Sequence, residues 1–462
     1  MQPMDKHRIG CAEFRRKLRV ERRGFLKAAV LGAAGLRLPE LLRAEAKSGG
    51  AKSVGGRAPA VIILWMRGGP SHIDMWNPKP DAPVEYRGEF KTIATKIPGI
   101  LTTELLTRSA RIQDKFSIIR SLNHHDAGHS SGDQICFTGY NSGPNPDENV
   151  HPSIGSVVSK QLDHRHLTLP PYVMIPKMVP GTGPAYLGVA HKPFETQADP
   201  ARPGPFRVPN FTLPAGVSAA QMGDRRLLLA SFDHMRREVD NSGQLDALDS
   251  FQQKAWDVLT SSAARDAFDL DKEPAAVRER YGFLPPFDPK ASNRCGAPAW
   301  SQRILLARRL IEAGVRLVTV DLRWWDTHVK AFESLRLGFL ERWDRAFTAL
   351  VEDLEARGLL DSTMVLGWGE FGRTPKVNND AGRDHYPNVF SAVLAGGGIR
   401  GGRAIGESDS KGAFPKSNPK SPQDVLATLY RFLGVDVNAQ YPNGTGRPIS
   451  VLPFGTPIEE LF

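Results

Sequence analysis

Acids and histidines recur in this 462-residue chain shortly after apolar runs, which makes them candidates for chemistry. Glu370 follows the apolar run Met364–Leu366, and Asp326 and His328 follow the run Val315–Leu322. Such runs are typical of buried strands, and the carboxyl ends of parallel strands meet at one edge of a sheet. Carboxylate and imidazole groups that converge there would bind a divalent cation or transfer protons.

Three other polar segments hold further candidates. Asp74 lies beyond the apolar run Ala60–Met66, after a Gly-Gly-Pro turn, where capping of the turn is an equally good interpretation. His125 and His129 lie in one loop rich in Asp, Ser and Gly, and this density of histidine favours a metal or acid–base site over a solvated loop. His385 ends a Gly-Arg-Asp-His segment that can fold back toward the strand ends.

The segments between these loops predict alternating strands and helices. Helical patterns cover Ile100–Ile112, Ser301–Ala313, Phe332–Gly358 and Ser421–Leu433, and glycine ends or follows the last three. The last pattern begins with serine and proline, a usual start of a helix. This alternation predicts a three-layer α/β/α fold with a mostly parallel central sheet.

Composition places the chain among ordinary globular proteins, with 40% hydrophobic and 24% charged residues. The formal net charge is +10, but residues 1–46 hold eight Arg and three Lys against five acids, a surplus of six. The remaining residues therefore carry a surplus of only four. This distribution argues against a nucleic-acid-binding protein.

The first residues have the features of an export signal. Arg22 and Arg23 stand before Phe-Leu-Lys, the apolar run Ala28–Leu38 is too short to span a membrane, and Ala44–Ala46 has the form of a signal-peptidase site. The segment resembles a twin-arginine signal, which implies export of a folded protein to the periplasm or beyond. A basic amphipathic helix is the alternative interpretation.

The chain is therefore expected to contain one large domain behind a removable leader. Once the leader is gone, Cys136 and Cys295 are the remaining cysteines, and they could form a single disulfide in an oxidising compartment. The predicted parts are a signal at 1–46, a Gly/Ser/Lys linker at 47–59 and a domain at 60–462 that includes a helical covering insertion at 224–299.

Several motifs taken together resemble the exported family called domain of unknown function 1501, in the alkaline phosphatase and sulfatase superfamily. These motifs are GGPSHID, SLNHHDAGH, WWDTH, GEFGRTP and GRDHYP. The resemblance covers nearly all of residues 60–455 and implies an alkaline-phosphatase-like fold. It also implies a metal site. Mixed nitrogen and oxygen ligands would suit Zn, Mn or Fe, and Ca or Mg are the alternatives.

The resemblance transfers to this chain only in part. His385 matches a metal-binding histidine, Asp326 and His328 resemble an earlier pair, and Glu370 with Phe371 stands where the superfamily has Asp and His. The implied metal ligands are Asp74, His125, Asp326, His328, Glu370 and His385.

The resemblance implies a metal-dependent hydrolase of phosphate or sulfate esters, with a small anionic ester or a sulfated or phosphorylated glycan as substrate. His129 stands at the superfamily's nucleophile position and would act as nucleophile or as general acid and base, with Ser130 and Ser131 as alternative nucleophiles. Arg373 or Arg383 would pair with the anionic group, unless salt bridges to neighbouring acids occupy them.

Two other functions fit the same residues. An exported binding or scaffold protein of this fold would explain the changed nucleophile and the changed ligands. Metal-dependent isomerisation or group transfer would use the same site. Polar residues at so many strand ends favour the enzyme, because a purely structural core would be apolar there.

Overall fold

An eight-stranded mixed sheet forms the centre of the fold in the computed structural model. The structure describes residues 56–162, 169–202, 206–208, 261–284 and 300–462. The predicted export signal, most of the predicted linker and most of the predicted covering insertion lie outside these residues. Cys295 also lies outside them, while Cys136 is buried.

The strands of the described residues are numbered along the chain. They are β1 (Ala60–Trp65), β2 (Thr92–Ala94), β3 (Leu101–Thr103), β4 (Phe116–Leu122), β5 (Tyr172–Ile175), β6 (Phe194–Glu195), β7 (Leu317–Asp321), β8 (Thr363–Trp368), β9 (Gly372–Arg373), β10 (His385–Tyr386), β11 (Phe390–Gly396), β12 (Ala404–Ile405), β13 (Glu407–Ser408), β14 (Pro415–Ser417), β15 (Gln440–Pro442) and β16 (Pro448–Ser450).

The helices of the same residues are numbered in the same way. They are α1 (Val84–Arg87), α2 (Thr107–Arg111), α3 (His129–Thr138), α4 (Ile154–Gln161), α5 (Ser262–Phe268), α6 (Ala275–Tyr281), α7 (Ser301–Glu312), α8 (Ala331–Ser334), α9 (Leu340–Ala356) and α10 (Pro422–Leu433). A π-helical segment, Leu335–Phe339, joins α8 to α9.

The central sheet has the strand order β12-β4-β11-β8-β1-β7-β5-β6. Neighbouring strands pair in parallel except around β11, which runs antiparallel to both β4 and β8. The strands β7, β1 and β8 are adjacent, so the loops that follow them leave the sheet at one edge. This arrangement places the loop-borne acids of the sequence near one another.

Two apolar layers cover the sheet, one on each face. Ile62 and Leu64 of β1 belong to a core with α7 and α9, whereas Val61 and Ile63 belong to a core with α3, α4 and α10. All six residues of β1 are buried, as expected for a central strand covered on both faces. The predicted three-layer α/β/α class with a mostly parallel sheet is confirmed.

Helix α10 shows why the local patterns were informative. Ser421 accepts a hydrogen bond from the backbone N–H of Asp424, and Asp424 accepts one from the backbone N–H of Ser421, so two otherwise unpaired donors are satisfied. Gly434 ends the helix with a φ of 73°, which favours glycine. The predicted helices over Ser301–Ala313 and Phe332–Gly358 are also present, with bounds shifted by a few residues.

Two predicted elements differ from the structure. The predicted helix Ile100–Ile112 is wrong in its first part, because Leu101–Thr103 pairs as an antiparallel strand with Thr92–Ala94. The loop predicted to hold both His125 and His129 ends before His129, because α3 begins at that residue. His129 therefore lies on the first turn of a helix and not in a loop.

Among the described residues, no helix is both long and apolar enough to cross a membrane.

Candidate metal centre

The loops after β7 and β8 bring two acids to the same point above β1. Asp326 lies in the loop after β7 and Glu370 in the loop after β8, and both are buried. Gly68, just beyond β1, separates the two loops. Its φ is +114°, and a Cβ atom there would lie 2.4 Å from the backbone nitrogen of Trp325. Only glycine allows the backbone to approach this closely.

Asp326 is the central group of a cluster that also contains His129, His328 and His385. Its Oδ1 atom lies 3.0 Å from Nε2 of His328, 3.0 Å from Nε2 of His385 and 2.6 Å from Nη2 of Arg373. Its Oδ2 atom lies 3.4 Å from Nε2 of His129. Ligating atoms of His129, Asp326 and His385 all lie within 4.8 Å of one another, a spacing that one metal ion could bridge.

The histidines of the cluster, His129, His328 and His385, share one orientation. In each ring Nδ1 contacts an acceptor and Nε2 points toward Asp326. Each acceptor is an oxygen without a hydrogen, so each Nδ1 carries the ring hydrogen and donates it. The pairs are His129 Nδ1 with Glu370 Oε1 at 2.6 Å, His328 Nδ1 with Asp384 Oδ1 at 2.7 Å, and His385 Nδ1 with the Ala127 carbonyl at 2.8 Å.

In the neutral rings, this orientation leaves three Nε2 lone pairs pointing into the cluster. The Nε2 atoms of His328 and His385 are only 3.0 Å apart. Nε2 of His129 is buried and has no hydrogen-bond partner among the described residues. Lone pairs at such separations repel each other unless a proton or a cation lies between them. The donor set therefore fits a bound cation.

In the absence of a cation, contacts within the cluster shift the pKa values of its members. Burial would lower the pKa of His129, but the carboxylates of Asp326 and Glu370 on its two sides raise it to about 9. A hydrogen bond to Asp326, helped by Asp384, raises the pKa of His328 above its ordinary value against the effect of burial. Burial would raise the pKa of Asp326, but the surrounding imidazoles lower it below its ordinary range. Burial lowers the pKa of His385.

Two predicted site residues support the cluster through hydrogen bonds to its members. Glu370 accepts the Gly68 N–H at 2.8 Å and the His129 Nδ1–H, so its carboxylate orients His129. Arg373 is fully buried and donates to Asp326 and to the carbonyls of Gly68 and Gly69. Its guanidinium therefore holds Asp326 in place and is occupied by protein acceptors, in contrast to the expected pairing with an anionic group of a substrate.

Other predicted residues lie outside the group. Asp74 and Arg383 form a salt bridge of 2.8 Å in which both side chains are fully buried, and Ser71 donates a further hydrogen bond to Asp74. His125 is exposed and contributes no ligating atom to the three-residue group. The hydroxyl of Ser131 donates to Asp126, which also accepts the backbone N–H of Gly128.

A comparison of the sequence with known families identifies the family of this chain. A family profile described as "Protein of unknown function (DUF1501)" matches residues 58–462. The chain belongs to this family. No curated protein matches the chain significantly in sequence.

Solved structures show only a distant likeness. The lipoteichoic acid synthase LtaP from Listeria monocytogenes has a TM-score of 0.35 and 10% identity, over 88% of this chain and 79% of that chain. The phosphonate monoester hydrolase SpPMH from Silicibacter pomeroyi has 0.34 and 10%, over 84% and 74%. The PsFucS1 sulfatase from Pseudoalteromonas sp. has 0.32 and 11%, over 82% and 68%. Identity and score are both low, so the chemistry of the site has to come from its own geometry.

Sequence reasoning missed a wall of the site formed by Arg67 and Trp324. The guanidinium of Arg67 lies 4.5 Å from the centre of the Trp324 ring, and that ring lies 5.4 Å from the ring of His129. Arg67 also donates to the buried Asp133 at 2.7 Å and to the Ser130 hydroxyl at 3.3 Å. The position of Arg67 at the end of the first strand was the available signal, since strand ends at this edge supply the other site residues.

Proposed function

We propose that this protein is a metal-dependent hydrolase of anionic esters, of the phosphate or sulfate class. The observation that supports this best is the inward orientation of three Nε2 atoms around one carboxylate. His129, His328, His385 and Asp326 would hold the ion. Three imidazoles and one carboxylate suit Zn, Mn or Fe, whereas Ca and Mg prefer oxygen ligands.

The metal, when bound, would polarise the ester and lower the pKa of a coordinated water toward neutrality. The protein residues prepare the site for that chemistry. Glu370 and Asp384 accept the Nδ1 hydrogens and so fix the orientation of two imidazoles. Arg373 keeps Asp326 ionised and in position by a buried 2.6 Å contact.

The anionic part of the ester would lie against the first turn of α3. Ser130 lies on that turn, accepts a hydrogen bond from Arg67 at 3.3 Å and donates to Asp147 at 2.6 Å. The free N–H groups at a helix start and the nearby guanidinium favour negative charge. Since His129 now serves as a ligand, the attacking group is water or the Ser130 hydroxyl, and a Ser130→Ala variant separates these two.

A metal-binding protein without hydrolytic activity is the second candidate. Phe371 favours it, because its ring lies 5.3 Å from the ring of His129 and 4.5 Å from that of His385. This aromatic ring occupies space beside two ligands where the resembled superfamily has a further imidazole. Hydrolysis of an ester by the metal-loaded protein decides between the two candidates.

Metal content is the first test. Purified protein should contain about one equivalent of a divalent transition metal by plasma mass spectrometry, and Asp326→Asn and His385→Ala should lose most of it. His191→Ala is the matched control, because it removes a histidine that contacts Ser159 outside the cluster. Metal-free wild-type protein that also fails to bind added Zn would refute the proposal.

Substrate class is the second test. The metal-loaded protein should hydrolyse at least one of three aryl substrates, namely a phosphate monoester, a phosphate diester or a sulfate ester, and Asp326→Asn should abolish that activity. Stable metal binding with no turnover of any of the three would favour the binding protein instead.

The export route is a separate part of the proposal. Arg22 and Arg23 of the predicted signal support transport of a folded protein, which is consistent with loading of a metal before export. Replacing both arginines by lysine should keep the protein in the cytoplasm. Unchanged export of that variant would refute the twin-arginine route.

A further inference from the structure

A basic cleft opens near the candidate metal centre, at the ends of β5 and β7. Its volume is about 650 Å³. Lys177 lies just beyond β5, and Asp321 is the last residue of β7. The cleft is therefore at the carboxyl edge of the sheet, the same edge from which the loop to Asp326 departs. Sheets of this class bind their ligands at this edge.

Positive charge dominates the lining of this cleft. Among its described residues, five cationic side chains face two carboxylates, a surplus of three positive charges. The cations are Lys177, Arg202, Arg207, Arg303 and Arg323.

The two carboxylates are already paired with arginines of the lining. Arg303 binds Asp199 through two hydrogen bonds, of 2.8 and 2.5 Å, and both side chains are largely buried. The Arg323 side chain pairs with Asp321, and its backbone N–H donates to the same carboxylate at 3.0 Å. These pairs hold both arginines in place, and neither carboxylate of the described lining is left without an arginine partner.

The side chains of the remaining cations, Lys177, Arg202 and Arg207, are exposed and make no hydrogen bond or ion pair with any residue that the structure describes. Met178 and Phe206 add apolar surface to the same lining. Unpaired cations beside apolar surface suit a ligand that combines anionic groups with a ring or carbon skeleton.

Trp324 connects the cleft to the metal centre. The guanidinium of Arg323, which lines the cleft, lies 5.3 Å from the centre of the Trp324 ring. The same ring lies 5.4 Å from the ring of His129. Arg323 and Trp324 thus form a continuous line of contacts from the cleft to the metal centre, which places the two sites within reach of one extended ligand.

We propose that the cleft is a second anion subsite, which binds a sulfate or phosphate group on the part of the substrate next to the hydrolysed ester. The substrate class is a polyol or oligosaccharide that carries at least two such groups. This inference rests on the proposed function for the reacting ester, but occupation of the subsite needs only binding.

Binding of two small polyanions tests the subsite directly. Sucrose octasulfate and inositol hexakisphosphate would be titrated calorimetrically, at one fixed salt concentration, into the wild type and the double variant Lys177→Ala/Arg202→Ala. Loss of two charge-assisted contacts should weaken binding of the preferred probe by about tenfold or more. The comparison of the two probes separates sulfate from phosphate recognition. Equal affinity of wild type and double variant for both probes would overturn the proposal.

Arg447→Ala is the matched control, because Arg447 is an exposed cation of the β15–β16 hairpin. It should bind both probes like the wild type, and weakening equal to that of the double variant would show a general charge effect and overturn the proposal. Metal content should be unchanged in all variants. Polyanion binding that depends on Lys177 and Arg202 in a protein without hydrolase activity would keep the subsite and reject the proposed function. Hydrolysis of an ester, together with equal polyanion binding by the wild type and the double variant, would keep the proposed function and reject the subsite.

Discussion

Oε1 of Glu370 lies 2.6 Å from Nδ1 of His129, and the pair is separated by 241 residues in the chain. The same carboxylate accepts the Gly68 N–H, so Glu370 joins the loops after two strands to the first turn of α3. This contact determines which nitrogen of His129 faces Asp326. The orientation of the proposed metal ligand therefore depends on an acid that does not itself belong to the three-residue group.

Replacing Glu370 should weaken metal binding without removing a ligand. In Glu370→Ala the Nδ1–H of His129 and the Gly68 N–H lose their acceptor, and we expect Zn affinity to fall roughly 10- to 100-fold. Glu370→Gln keeps an acceptor oxygen and should lose less. Glu355→Ala, which removes an exposed partner of Lys115, is the control. Competition with a chromophoric chelator measures the affinity, and an unchanged value in Glu370→Ala would show that the contact does not orient His129.

Metal affinity should rise with pH. Since the pKa of His129 is raised to about 9 in the absence of a cation, a bound ion has to displace a proton from this ring at neutral pH. Protons therefore compete with the ion, and this competition weakens as the pH approaches that pKa. Calorimetric titration of Zn in two buffers of different ionisation enthalpy should reveal release of about one proton or more per ion. Identical heats in the two buffers would contradict this prediction.

His72 should make the protein sensitive to acid. Burial lowers its pKa from the ordinary 6.5 to about 4, while its Nε2–H donates to the Gly412 carbonyl at 2.8 Å. Between these two values the unfolded chain binds a proton that the folded chain does not, so the free energy of unfolding falls as the pH falls. From neutral pH to about pH 5 this loss is about 2 kcal/mol. Urea unfolding of His72→Gln should show a smaller loss over this interval, and an equal loss would contradict the assignment.

Gly68 should not tolerate a side chain. The Cβ atom of Gly68→Ala would lie 2.4 Å from the Trp325 nitrogen, and its φ of +114° is unfavourable for alanine. We expect a loss of stability of about 3 kcal/mol and reduced metal binding, because the loop that holds Asp326 has to move. Gly99→Ala is the matched control, since its φ is +83° but no atom lies within 4 Å of the added Cβ. Equal stabilities of the two variants would show that the close approach is unimportant.

The salt bridge between Asp74 and Arg383 is expected to stabilise the folded protein. Arg383→Met would leave a fully buried carboxylate without its partner and should cost about 3–5 kcal/mol of stability. Asp74→Asn should also destabilise the protein but leave its metal content unchanged, because Asp74 is held by Arg383 and Ser71. Loss of metal in Asp74→Asn, at a temperature where the variant remains folded, would restore Asp74 as a ligand.

Local patterns in the chain were sufficient to predict most of the fold. The apolar run of β1 and the serine, proline and glycine signals of α10 act within a few residues, so the structure reproduces them closely. The segment Ile100–Ile112 was predicted wrongly, because pairing with Thr92–Ala94 outweighs the local preference of Leu101–Thr103. The strand-end acids and histidines could also be recognised as candidates, since strands of this class direct their following loops to one edge.

The division of those candidates into proposed metal ligands and supporting residues came from the folded chain. Glu370 and Asp326 are similar acids at similar strand ends, yet one accepts a hydrogen bond from His129 Nδ1 and the other faces Nε2. Arg373 and Arg383 are buried behind acids that lie 47 and 309 residues away in the chain. Sequence spacing carries no information about which nitrogen of a histidine meets an acceptor. That choice is made by distant groups such as the Ala127 carbonyl, which only packing brings to the ring of His385.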